Sequence, residues 1–203
     1  MPEEIWNQGL TPRHADGRVR SGMGGIEAIL LPRGTSLYRF QTAGAGQGGW
    51  WSTREVLEAL VQMSQASGFD LGTQARLGNA VLHGWSALNE LVTGEVIRSC
   101  MAFSGRGRPQ AELIPCTNFK ITYASCQQVP QVYVPSEDLV GRTGRREQCV
   151  VVRRRERIKS ANLHAQHHGT PLTPKQAKEE KEQYERSARD LDAAIRRLNQ
   201  DRR

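Results

Sequence analysis

The sequence predicts an α+β fold on three observations. Short apolar runs with strand-like alternation are scattered through the first 158 residues, two helical stretches sit among them, and a charged helix closes the chain. Its 203 residues suffice for one domain of ordinary size with an appendage. The expected organisation is an irregular segment at 1–25, a compact domain at 26–158 with its strands in two small sheets, a linker at 159–172 and a helix at 173–203.

Pro2, Pro12, Gly17, Gly22, Gly24 and Gly25 break any period in the first segment. Ile26 to Leu31 is a short apolar run that reads as a strand or a buried turn, and Pro32-Arg33-Gly34-Thr35 has turn chemistry. Ser36 to Phe40 predicts a second strand with alternating faces, followed by a glycine-rich loop, Gly44 to Gly49, that Trp50 and Trp51 close. Ser52 with Glu55 three residues on is a capping box, ahead of Val56, Leu57, Leu60, Val61 and Ser64 at helical spacing; Gly68 ends that helix. A second helix is expected from Thr73 to His83, with Gly84 at its end. Further strands are expected at Glu95–Phe103, Phe119–Ala124, Gln131–Val134 and Gln148–Arg153. In the rear helix Thr173 caps, Pro174 takes the first helical position and Gln176 the box position. Tyr184, Ala188, Leu191, Ile195 and Leu198 then follow an a/d seam, which suits either self-association or packing on the chain's own domain.

The net charge of +7 is unevenly placed. Residues 1–141 carry 11 basic and 12 acidic side chains, whereas residues 142–159 carry 8 basic and 2 acidic ones. The segment Arg142 to Lys159 therefore has two readings: a track for a nucleic acid or an acidic protein, or a solvated strand with arginines on its outer face around Val150, Val151 and Val152. No aromatic residues interleave it, so base stacking is unsupported. The longest aliphatic run, Ala28 to Leu31, is far short of a bilayer span, and the acidic start shows no secretory signal. No membrane partner and a cytoplasmic site of action are expected, with non-classical export left open. Cys100, Cys116, Cys126 and Cys149 form no C-x-x-C pair, which argues against a zinc ribbon; scattered thiols suit a reducing compartment, and an even count still permits two bridges.

Gly44 to Gly49 matches G-x-G-x-x-G between a strand and a helix. Against a dinucleotide fingerprint stand Tyr38 and Arg39 in the preceding strand, Trp50 and Trp51 where the helix should begin, and a poor second strand, although Asp70 stands near the distance of a ribose-binding acid. A flexible loop is the expectation. Phosphate-loop, zinc-protease and serine-hydrolase motifs are absent, and His164, His167 and His168 read as solvated residues of a polar linker, so no metal is expected. Ser52 is explained by capping alone. Arg39 lies on the opposite face of its strand from Tyr38 and Phe40; if that face is covered, its planar fork needs an anion such as a pyrophosphate, a carboxylate or a structural ion-pair partner.

An arginine in Leu37-Tyr38-Arg39-Phe40, then an aromatic residue followed by Ser-Thr at a helix start (Trp51-Ser52-Thr53), resembles the first two motifs of the ADP-ribosyltransferase superfamily. The strand pair Glu95–Phe103 and Gln131-Val132-Tyr133-Val134-Pro135 resembles the rear half of its toxin-like members, near the NAD-glycohydrolase branch. The resemblance spans residues 34–135 and implies two sheets forming a split cleft that clasps NAD as substrate. It implies that Arg39 binds the NAD phosphates or ribose, that Ser52 with Thr53 braces the site, and that Trp51 and Tyr133 lie against the cofactor. Gln131 becomes the late-strand group that orients the nicotinamide ribose. The superfamily's usual Glu-x-Glu or Gln-x-Glu is missing, since Tyr133 stands two residues after Gln131, and Glu137 and Glu147 are the substitute candidates.

These expectations describe an effector or toxin that uses NAD for ADP-ribosyl transfer, a glycosyltransferase reaction onto a macromolecular acceptor, or for NAD hydrolysis. A neutralising partner, or self-association through the rear helix, would accompany it. The alternative is a non-enzymatic nucleic-acid or assembly-binding protein that uses residues 142–159 and the rear helix.

Overall fold

The computed structural model describes residues 4–46, 48–113, 120–124, 126, 129–141 and 143–160. The chain divides into two compact units, Met1–Ser160 and Ala161–Arg203. The second unit lies outside the described residues, and with it the rear helix, its seam, the histidine cluster and nearly all of the linker.

The first unit is α+β, with antiparallel sheets. One sheet has the order β1-β5-β8-β3, from Met23–Leu31, Cys100–Gly107, Pro130–Tyr133 and Trp50–Trp51. A second has the order β2-β4-β9, from Ser36–Gln41, Glu90–Val96 and Val150–Arg157. A third pairs β6 (Gln110–Leu113) with β7 (Lys120–Tyr123). The three helices among the described residues are α1 (Gly17–Gly22), α2 (Arg54–Ser67) and α3 (Leu71–Asn79); none is long and apolar enough to cross a membrane.

The first two sheets share a core. Leu31, Trp51, Cys100, Ala102 and Val132 of one pack with Leu37, Val92, Val96 and Val150 of the other. They also meet covalently. Trp50 and Trp51 pair with Tyr133 and Val132 of β8, and the next residue, Ser52, exchanges both backbone hydrogen bonds with Tyr38 of β2 at 2.8 and 2.7 Å. Within three residues the chain passes from one sheet to the other, and the gap that opens beside this crossing is the candidate site.

Several sequence expectations shift. The first 25 residues are more ordered than their prolines and glycines suggested. Asp16 accepts from the Val19 N–H and caps α1, and Trp6 bridges Cys100. Leu10, Ala15, Val19 and Met23 bury against Phe103 on the other face of the first sheet. The helix expected after Ser52 begins one residue later, with Thr53 at the cap, because the Ser52 backbone is held by β2; its five expected apolar-face residues are all buried and Gly68 closes it at φ +75°. The second helix begins earlier and ends earlier than expected: Asp70 caps α3 by accepting from the Thr73 N–H at 2.8 Å, and Ala80 ends it in the left-handed region. The single strand expected at Glu95–Phe103 is the end of β4 and the start of β5, which lie in different sheets. Ile97 and Ser99 between them are fixed by hydrogen bonds with Cys149 and Trp6. The antiparallel pairing leaves no parallel βαβ unit for Gly44 to Gly49, and Asp70 is occupied as a cap.

Candidate active site

Beside the crossing lies a cavity of about 510 Å³, within the range of small-molecule sites. One wall is β2 from Tyr38 to Gln41, with Ala45, Gly46 and Gly48 of the glycine loop above it. Trp50, Trp51 and Ser52 form the floor, and Gln131 of β8, Gln110 of β6 and Asn79 at the end of α3 form the far side. Arg18 and Trp85 stand on the rim, both exposed.

Arg39 is the buried charged group of this cavity and is 6% exposed. Strand alternation turns it away from Tyr38 and Phe40, and its guanidinium rests 5.2 Å from the centroid of the Trp51 ring. Nη1 donates to the Gly48 carbonyl at 2.9 Å, and Nη2 donates to Gly46 O at 2.6 Å and to Gln41 Oε1. Nε is buried with no partner. Burial lowers the Arg39 pKa to about 10; the charge of Arg155 adds to this and that of Glu90 opposes it. The group is thus a cation at neutral pH, desolvated, with an unused donor: a position that favours an anion.

Gln131 is fixed in orientation. Its Nε2 donates to the Asn79 carbonyl at 2.8 Å, which leaves Oε1 as the acceptor end of the amide. Gly107 on the neighbouring β5 makes this contact possible, since a Cβ there would stand 2.6 Å from Asn79 O and 2.7 Å from Gln131 Nε2. Trp51 needs a glycine in the same way: a Cβ on Gly94 of β4 would lie 2.9 Å from the indole. Ser52 is 4% exposed and braces the site through its backbone, as the tie to Tyr38.

Arg39, Trp51, Ser52 and Gln131, drawn from separate elements, therefore converge on one cavity. The other candidates do not reach it, and each has a physical reason. Thr53 is the cap of α2, where its hydroxyl binds Glu55 and, with a backbone hydrogen bond, holds that carboxyl below its usual pKa. Tyr133 packs edge-on against Trp50 at 5.1 Å between centroids and against Gly49, behind the floor. Glu137 pairs with Arg146 at 3.1 Å, and Glu147 pairs with Arg98 and Arg145. Both acids serve the loop that precedes β9, and neither lines the cavity.

The basic segment is largely paired. Arg145 and Arg146 bind the acids just named, Arg153 binds Glu95, Arg154 binds Glu156 and Arg155 binds Glu90. These arginines hold β9 and its neighbours together, the solvated-strand reading of the cluster. Among the described residues no group of three or more His, Cys, Asp and Glu has metal-binding geometry.

Sequence reasoning missed two buried charges. Arg76 of α3 is 1% exposed and donates to Val81 O at 3.0 Å and Ser86 O at 2.8 Å, so it holds the loop that carries Trp85. Glu90, 6% exposed, sits behind the Arg39 wall and binds Gln41 and Arg155. Gln41 lies two positions after Arg39 on the same strand face, one residue beyond the strand expected at Ser36 to Phe40. Glu90, opposite it in register, was not legible in the sequence.

The fold and cavity define an α+β domain in which a buried arginine, two tryptophans and a glutamine line one pocket. No family model matches the chain, and no curated protein matches it. Among solved structures it is similar to Rhs1-CT, determined in complex with its cognate immunity protein RhsI1, with 16% identity and a TM-score of 0.42 over 68% of this chain and 84% of that one. It is similar to Tne2, determined with Tni2, at 14% identity and TM-score 0.41 over 68% of this chain and 97% of that one. It is also similar to Tse6, determined with Tsi6, at 14% identity and TM-score 0.32 over 63% of this chain and 80% of that one.

Proposed function

We propose that this chain is an NAD-using effector or toxin that breaks the bond between nicotinamide and ribose in this cavity. The observation that carries the reading is the convergence of Arg39, Trp51, Ser52 and Gln131 on a single cavity of suitable size. The sequence resemblance to ADP-ribosyltransferases supports it independently. Arg39 receives the pyrophosphate by exchange of the Gly46 and Gly48 carbonyls on its Nη atoms for phosphate oxygens. Trp50, half-buried on the cavity lining, offers an aromatic face to the planar nicotinamide, and Trp51 backs the Arg39 guanidinium. Gln131 Oε1 accepts a hydrogen bond from a ribose hydroxyl.

In the reaction the C1′–N1 bond breaks and its electron pair goes to the pyridinium nitrogen, so neutral nicotinamide leaves. The ribose acquires oxocarbenium character, which the Gln131 oxygen stabilises through the 2′-hydroxyl. A water oxygen attacks C1′ and loses a proton, giving ADP-ribose; an acceptor nucleophile in its place gives ADP-ribosyl transfer. A neutralising protein partner belongs to this reading.

The test is incubation of the protein with NAD while nicotinamide release is followed, alongside Arg39→Ala and Gln131→Ala. Release by the intact protein and its loss in both variants are expected. An intact protein that neither binds ADP-ribose nor releases nicotinamide refutes the reading.

A further inference from the structure

Glu90 is a buried carboxylate that the sequence offered no reason to select, and it does not line the cavity. It begins β4 directly opposite Gln41 of β2. Its Oε2 accepts from Gln41 Nε2 at 2.6 Å and from Arg155 Nη1 at 3.0 Å. Gln41 Nε2 also donates to the Ala45 carbonyl at 3.1 Å, while its Oε1 accepts from Arg39 Nη2. Arg155 reaches the same Ala45 carbonyl at 3.4 Å.

A primary amide has two orientations, and rotating it exchanges donor for acceptor. With Glu90 and Ala45 O both facing Gln41 Nε2, only one orientation satisfies the group. That orientation turns Oε1 toward Arg39. Without Glu90 the amide can rotate and present N–H to a guanidinium that has only N–H to offer. We propose that Glu90 is a positioning residue for anion binding: acting through Gln41, it fixes the plane of the Arg39 guanidinium in the cavity wall. Arg155 seals the chain on the outside, pairing a carboxylate that would otherwise be buried without a counter-charge.

The inference rests on the NAD reading, and its test separates the two. ADP-ribose is the probe, because it keeps the pyrophosphate and has no nicotinamide bond to break; binding is measured by calorimetry with the full chain. Glu90→Leu is expected to weaken ADP-ribose binding about tenfold, the scale of one charge-assisted hydrogen bond. Glu90→Gln, whose amide oxygen can still accept from Gln41, is expected to stay within about threefold of the parent chain. Gln41→Met is expected to weaken binding as Glu90→Leu does, and in its background Glu90→Leu is expected to cost no further affinity, because the link is already cut. Retained binding in Glu90→Gln is the readout that a merely structural loss of the buried charge would not give. If Glu90→Leu does not fold, the contrast between Gln41→Met and Glu90→Gln still decides. Parent-like binding by Gln41→Met or Glu90→Leu, or full additivity, overturns the inference while the NAD reading stands. Failure of the parent chain to bind ADP-ribose overturns both.

Discussion

The guanidinium of Arg39 lies 5.2 Å from the ring centroid of Trp51, a buried cation on a buried indole. Trp51 is held from the other side by Gly94, so the floor under Arg39 is rigid. The cation is thus fixed in place before any ligand arrives, and its remaining donor capacity is directed rather than mobile.

Arg39→Lys is therefore expected to behave like Arg39→Ala. A lysine keeps the charge but loses the planar fork and its several directed donors. Losing even one or two charge-assisted hydrogen bonds lowers NAD turnover by about 100-fold, read as nicotinamide release. Lysine retaining most of the activity would show that charge alone suffices.

Gly94→Ala tests the floor. The added methyl would stand 2.7 Å from Val150 Cγ1 and 2.9 Å from the Trp51 ring, both in the shared core. Overpacking of this kind costs about 1–3 kcal/mol, to be read as a lower urea midpoint. Because the clash is with Trp51, Trp51→Leu in the same chain is expected to recover part of that loss, so the two substitutions should be non-additive. Full additivity contradicts this account of the floor.

Much of this was legible in the sequence where the physics is local. The buried face of α2 is the spacing of Val56, Leu57, Leu60, Val61 and Ser64, and alternation alone put Arg39 on the opposite face of β2 from Tyr38 and Phe40. What was not legible depends on partners far along the chain. Glu90 is buried because Arg155, 65 residues later, pairs with it. Gln131 and Tyr133 share a strand face, yet Trp50 covers Tyr133 and leaves Gln131 on the cavity, a difference set by the register of β3 on β8. The N-terminal segment looked irregular because its order comes from packing against Phe103 and pairing with Cys100, not from its own period.

Gln131→Glu is expected to reduce turnover, not to raise it. A carboxylate is the group usual in the resembling superfamily, but here the side chain's Nε2 donates to the Asn79 carbonyl. The acid would set a charged oxygen against that carbonyl and leave both acceptors without a donor, a cost of about 1–3 kcal/mol. The expected readout is a turnover loss of about tenfold or more with ADP-ribose affinity changed far less, because Arg39 is untouched. Higher turnover in this variant would remove the proposed role of the amide.

The rim of the cavity gives the pH-dependent prediction. Glu112 of β6 accepts from the His83 N–H at 2.9 Å and from the Tyr123 hydroxyl at 3.0 Å, which ties the third sheet to the loop that follows α3. Burial pushes the Glu112 pKa up, but the hydrogen bonds from His83, Tyr123 and Gly84 and the charge of His83 outweigh it and hold the carboxyl below its usual 4.5. On Tyr123 the same contact acts oppositely: burial, then the hydrogen bond to Glu112 and its charge, push the phenol up to about 12. A carboxyl whose folded pKa is depressed contributes stability above its unfolded value and loses it as the pH falls through the folded value. Glu112→Gln is therefore expected to lower the urea midpoint at pH 7. The gap between the two proteins should narrow as the pH falls from about 4.5 through the lower folded value, where the unfolded chain binds the proton before the native carboxyl does. A gap that is the same at pH 3 and pH 7 would mean that the Glu112 charge contributes nothing to holding the loop.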